Sequence, residues 1–165
     1  ESAWGTAMWL RKSEERGWPR VATMQNEYSL LCRMYDTDLA ELSVNEDVGL
    51  IAFSPLACGL LTGKYQGGHI PEGSRRSLVP ELGGRNTPRV YEAVEAYLAV
   101  AEKHGIDPVH MALGFCLSRP FTASAIFGAT RLTQLEHVLA GVGTALSDEV
   151  LTELNTVHRA HPMPY

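Results

Sequence analysis

Residues 52 to 65 read AFSPLACGLLTGKY: the end of an apolar run, a break at Ser54-Pro55, then two glycines and a lysine. Small residues and glycine in such a loop let a ligand approach the backbone closely. Further along, Gly128, Thr130 and Gln134 mark a turn and a helix start, and a helix N-terminus favours an anion. Each residue also has a plainer role. Phe53 can fill a core, Gln25 can close a strand, Lys64 and Arg75 can be solvated loop charges, and Thr130 can be an N-cap. Cys58 reads as a small packing residue, because no histidine or cation is placed to stabilise its thiolate.

Other chemistries are disfavoured. Cys32, Cys58 and Cys116 are odd in number and lack CxxC spacing, so neither a disulfide framework nor a zinc knuckle is expected. A reducing, cytoplasmic setting fits best. His158 and His161 have a spacing that can hold a metal, but in a proline-rich tail without acidic or thiol neighbours they read as a solvated C-terminus. Net charge is −5 with lysines and arginines scattered, so nucleic acid is not an expected partner. No apolar run reaches about eighteen residues, so membrane insertion is not expected, and the N-terminus lacks the layout of a secretory signal.

The elements that must position these residues can be read from period and punctuation. Ala3, Trp4, Ala7, Met8 and Leu10 give a first helix over residues 1 to 16 that leaves at Gly17. Val21, Ala22 and Met24 form a short apolar strand closed by Gln25 and Asn26, and Leu39, Leu42 and Val44 mark a short helix. Leu50 to Phe53 is a second strand. Thr87-Pro88 and Asp107-Pro108 are two N-cap and first-position proline signals, the first opening a helix with Val90, Val94, Tyr97, Leu98 and Ala101 on one face. A third strand is expected at Ser124 to Phe127, then a helix through Leu132, Leu135, Val138, Leu139 and Val142. Ser147, Asp148 and Glu149 start the last helix.

The order α-β-α-β-α-α-β-α-α with short buried strands implies α/β units on a parallel sheet. An open nucleotide-binding sheet would need a G-x-G-x-x-G after a strand, and none occurs. The alternative is a closed (β/α)8 barrel, in which functional groups gather where strands end. Gln25, Phe53-Ser54 and Gly128 to Thr130 would then share one mouth. Three strands cannot close a barrel, so further chain before Glu1, a partner chain or a loosely capped remnant is expected; the missing initiator methionine points the same way.

Four stretches in this order, QNEYSLL, SPLACGLLTGKY, IPEGSRRS and IFGATRLTQL, resemble the aldo-keto reductases, in particular the branch containing the voltage-gated potassium channel β subunits and their bacterial relatives. The resemblance spans essentially the whole chain and implies that residues 1 to 165 are a single partial domain, the C-terminal half of a (β/α)8 TIM barrel. It implies NADPH as cofactor: Phe53 against the nicotinamide, Gln25 on its carboxamide, and Ser54, Pro55, Leu56, Ala57 and Cys58 as a strap along the pyrophosphate. Lys64 and Arg75 match cations that face the phosphates, and Gly128, Thr130 and Gln134 match the receiver of the adenosine 2′-phosphate.

The departures from the family pattern are specific. Phe53 stands where relatives have tyrosine or tryptophan and lacks their polar handle. His137 and Val138 stand where relatives commonly have a Glu-Asn pair on the adenine; a charged His137 would favour a phosphate. The family's catalytic Asp, Tyr, Lys and His belong to the half before Glu1, so no catalytic residue is assigned among Tyr28, Tyr35, Tyr65, Tyr91, Tyr97 and Tyr165. The resemblance therefore implies a parent enzyme reducing a small aldehyde or ketone, with this chain as its cofactor half. A non-catalytic NADPH-binding regulatory subunit and an inactive truncated fragment are the other readings.

Overall fold

The computed structural model describes residues 1–165. In chain order it has α1 (Ala3–Arg16), β1 (Thr23–Glu27), α2 (Asp38–Glu46), β2 (Gly49–Phe53), the single turn α3 (Arg75–Leu78), α4 (Pro88–Lys103), α5 (Pro108–Leu117), β3 (Thr122–Ile126), α6 (Leu132–Ala140) and α7 (Asp148–Ala160). The capping signals act locally. Thr87 accepts from the Val90 N–H, Asp107 from those of Val109 and His110, and Ser147 from that of Val150, while α1 exits through Gly17 at φ 65°.

The strands form one parallel sheet in the order β1-β2-β3. Gln25, Ile51 and Ser124 stand in register, as do Glu27, Phe53 and Ile126. A register shift between Leu50 and Ile51 leaves Ala123 as an extra residue in β3. Period two then sorts the faces. Met24, Leu50 and Ala52 are buried, whereas Gln25 and Ile126 are exposed, as is Ala123 on the bulge, and Ser124 is open to solvent. A parallel sheet with helices around it is the layering of part of a (β/α)8 barrel.

Between sheet and helices, Tyr28, Tyr35, Phe115 and Phe121 pack with ring centroids 5.1 to 6.3 Å apart. Their polar tips are satisfied: Tyr28 donates to Asp36 at 2.7 Å, and the hydroxyls of Tyr35 and Ser43 meet at 2.5 Å. Arg33 is buried 4.2 Å over the Phe115 ring and donates to the Asn155 side chain and the Leu154 carbonyl, tying α7 to the turn after β1.

Five details differ from the sequence reading. α6 ends at Ala140, short of the expected Val142. β1 runs on through Gln25, Asn26 and Glu27, because each has a register partner on β2. β3 starts at Thr122 and ends at Ile126, leaving Phe127 in the following loop. The turn α3 is too short for any periodicity to reveal. His158 lies on α7, partly buried, with Nδ1 enclosed and unpartnered, so it is no solvated tail residue. No helix is long and apolar enough to cross a membrane.

Candidate functional site

Beyond the C-terminal ends of β2 and β3 lies an open groove of about 550 Å3. One wall is the strap after β2. Ser54, Ala57 and Cys58 hold positive φ (55°, 46° and 57°), as do Gly59 and Gly63 (90° and 76°). Three non-glycine residues in the left-handed region within five positions store backbone strain, which is concentrated here. Local bonds hold the turns: Ala57 N–H to the Ser54 carbonyl, Gly59 N–H to that of Leu56, and the Thr62 hydroxyl to that of Gly59.

Tyr65, buried at the end of the strap, fastens two parts of the wall. Its ring lies 5.1 Å from the Lys64 ammonium, and its hydroxyl accepts from the Arg76 N–H at 3.3 Å, anchoring the turn that carries Arg75. The facing wall is Ile126, Phe127, Gly128, Ala129 and Thr130, with Gln134, His137 and Val138 of α6. Gln134 Oε1 accepts from both the N–H and the hydroxyl of Thr130, at 3.0 and 3.2 Å. Val109 and Val138 meet Leu56 at an apolar floor.

The groove therefore joins a flat aromatic, a turn rich in accessible backbone, two cations and a helix start, and no carboxylate lines it. That set suits an elongated anion with a flat ring at one end. His137 Nε2 lies 2.9 Å from Asp107 Oδ2. Burial works to raise the Asp107 carboxyl, but the hydrogen bonds from His137 and from the His110 and Val109 N–H groups outweigh it and hold the group below its ordinary value. His137 thus faces a carboxylate on its other side rather than the groove alone.

Of the residues singled out in the sequence, Phe53, Ser54, Pro55, Leu56, Cys58, Lys64, Arg75, Gly128, Thr130 and Gln134 line this groove. Two do not. Ala57, within the strap, is fully buried, and Gln25 is exposed in the middle of β1, beside Ile51 rather than at the strand end. Further residues line the groove without having been singled out; most, such as Gly59, Ser74, Leu78 and Ala129, belong to the same segments as the candidates, whereas Val109, from the start of α5, has no local signal. Burial pushes the Cys116 thiol up to about 12 and also raises that of Cys32.

A second groove of about 530 Å3 lies between α1 and α2. Its arginines are engaged, Arg11 with Glu15 at 2.8 Å and Arg20 with Glu46 at 3.5 Å.

The family model described as "Aldo/keto reductase family" matches residues 1–159. The chain is 40% identical over 164 residues to protein Tas of Escherichia coli (strain K12), covering 99% of this chain and 47% of that protein. It is 31% identical over 173 residues to a probable voltage-gated potassium channel subunit beta of Arabidopsis thaliana, covering 96% and 53%. It is 36% identical over 141 residues to an L-glyceraldehyde 3-phosphate reductase of Escherichia coli O157:H7, covering 79% and 40%. The chain spans about half the length of the curated relatives it matches.

Proposed function

This chain belongs to the aldo/keto reductase family, and on that premise we propose that it is the cofactor-binding part of an NADPH-dependent oxidoreductase acting on aldehydes or ketones. The observation that carries the reading is the groove itself, where Phe53, the positive-φ strap, Lys64, Arg75 and the Thr130–Gln134 turn share one space without an opposing carboxylate. Bound NADPH would supply the hydride. The chain's own residues would hold it, Phe53 offering a face to the nicotinamide, the strap admitting the pyrophosphate and Lys64 and Arg75 balancing the phosphates.

None of the chain's tyrosines faces the groove, so the proton donor is assigned to none of them. Tyr28, Tyr35, Tyr65 and Tyr97 are buried, while Tyr91 and Tyr165 donate to Asn86 and Glu27.

The test is a titration of NADPH and of NADH into the protein that carries this chain, followed by nucleotide fluorescence. NADPH is expected to bind more tightly than NADH, and Lys64→Ala and Arg75→Ala are each expected to weaken NADPH by about 10-fold or more, the loss of a charge-assisted contact. No saturable signal with either nucleotide, or affinities unmoved by both substitutions, would overturn the reading. The likeness to potassium channel β subunits favours a second reading, a regulatory subunit that binds NADPH without turnover. A panel of aldehydes offered with NADPH separates the two.

A further inference from the structure

At the edge of the groove, whose wall His137 shares, three ligand-type side chains to which the proposed nucleotide contacts give no role face one another. Asp107, His110 and His137 each offer one donor atom, and the three atoms lie within 4.8 Å of one another. Asp107 and His110 stand at the start of α5, and His137 comes from the last turn of α6.

The arrangement is held from several sides. Asp107 Oδ1 accepts from the N–H groups of Val109 and His110, at 2.8 and 3.2 Å, so the helix cap orients the carboxylate and leaves Oδ2 toward His137. His110 Nε2 lies 2.7 Å from the His137 carbonyl, which can only accept; Nε2 therefore carries the hydrogen, and the lone pair of the ring is on Nδ1. Donation of one imidazole N–H to a backbone carbonyl is the outer support that metal-bound histidines commonly have. Gly141 makes room for the ring, since a Cβ there would collide with the His110 imidazole.

We propose that Asp107, His110 and His137 form a binding site for a divalent transition-metal ion of the Zn2+ class. Two imidazoles and a carboxylate are the donor set such ions take in three-ligand sites, with a fourth position open to water or an anion. The ion takes the place of the proton between His137 and Asp107. His137 and Asp107 keep 48% and 35% of their side-chain surface exposed, which gives an ion a path from solvent. In the second cluster of this kind, His104, Glu149 and Glu153, one oxygen of Glu153 is already taken by the Lys103 ammonium at 2.6 Å and by His104 Nε2 at 3.2 Å.

The test uses Co2+ as a spectroscopic probe on the chelator-treated protein, with Zn2+ competition by calorimetry and no nucleotide present. The intense visible bands of four-coordinate Co2+ are expected to saturate at about one ion per chain and to be displaced by Zn2+. His137→Ala and Asp107→Asn are each expected to weaken the ion by about 10-fold or more with an unchanged far-ultraviolet circular dichroism spectrum. Asp107→Asn keeps a capping oxygen at the start of α5, and His137 is exposed, so neither substitution threatens the fold. His158→Gln with His161→Gln is expected to leave binding intact. Only weak six-coordinate bands, or a titration that His137→Ala does not move, would overturn the site.

Discussion

Arg85 grips Glu27 through two parallel hydrogen bonds, Nε to Oε1 at 2.8 Å and Nη2 to Oε2 at 2.6 Å, with only 13% and 20% of the two side chains exposed. Glu27 closes β1 in register with Phe53, and its Oε1 also accepts from the Tyr165 hydroxyl at 2.9 Å. The guanidinium lies 5.6 Å from the Tyr165 ring. Burial, then the adjacent carboxylate, push the Tyr165 phenol above its ordinary value. One ion pair thus ties a strand end, the loop before α4 and the final residue of the chain.

Arg85→Ala is therefore expected to lower stability by about 2–4 kcal/mol, because it strands a mostly buried carboxylate. Arg85→Lys should recover only part of this, since an ammonium cannot make the two-pronged contact. Tyr165→Phe removes a single hydrogen bond and should cost about 1 kcal/mol. Urea unfolding ranks the three; an Arg85→Ala loss no larger than that of Tyr165→Phe would mean that the pair contributes little.

The strap offers opposite outcomes at adjacent residues. At Gly59, φ is 90° and a Cβ would stand 3.0 Å from Lys64 Cε and Nζ. Gly59→Ala is expected to cost about 1–2 kcal/mol in backbone strain and, by displacing the ammonium, to weaken NADPH as well. Cys58 already holds φ 57°, so Cys58→Gly releases strain while adding unfolded-state freedom, and the net change should stay within about 1 kcal/mol. Parallel denaturation and nucleotide titrations read both. A large loss in Cys58→Gly would show that thiol packing, not the turn, dominates there.

How much of this was legible in the sequence follows from how local each cause is. The starts of α4, α5 and α7 at Thr87-Pro88, Asp107-Pro108 and Ser147 are read directly, because a cap bonds to an N–H two or three residues away. The end of β1 is not, because Asn26 and Glu27 join the strand only through their partners Ala52 and Phe53. The same division runs through the site. The strap and the Gly128–Gln134 turn are continuous in sequence and assemble one groove, whereas Val109, the burial of Ala57 and the mid-strand place of Gln25 depend on packing between distant segments. His158 extends the Leu154 side of α7 by one turn, a continuation that the nearby prolines obscure.

The bulge in β3 makes a further prediction. The unpaired Ala123 of the bulge lies beside Gly49, where an added Cβ would lie 2.7 Å from that of Ala123. Both atoms are fixed to sheet backbone and cannot swing aside. Gly49→Ala is expected to destabilise by about 1–3 kcal/mol. Adding Ala123→Gly should return a good part of the loss, a positive coupling that a double-mutant cycle in urea measures directly. Strict additivity of the two would mean that the strands separate to absorb the methyl group.

His158 supplies the pH dependence. Burial, reinforced by the Arg33 cation and opposed by the Asp36 carboxylate, holds its imidazole below the ordinary value of 6.5, so the folded protein prefers the neutral ring. The unfolded chain then takes up the proton first as the pH falls. The contribution is complete above about pH 6.5 and is lost as the pH drops through the lower folded-state value. Arg33 cannot move away, since it is bonded to Asn155 and Leu154 and stacked on Phe115. The urea midpoint of the parent is thus expected to fall between about pH 7.5 and 5.5, and that of His158→Gln, which has no proton to gain in this range, to fall less. Equal slopes would place the pH sensitivity elsewhere in the chain.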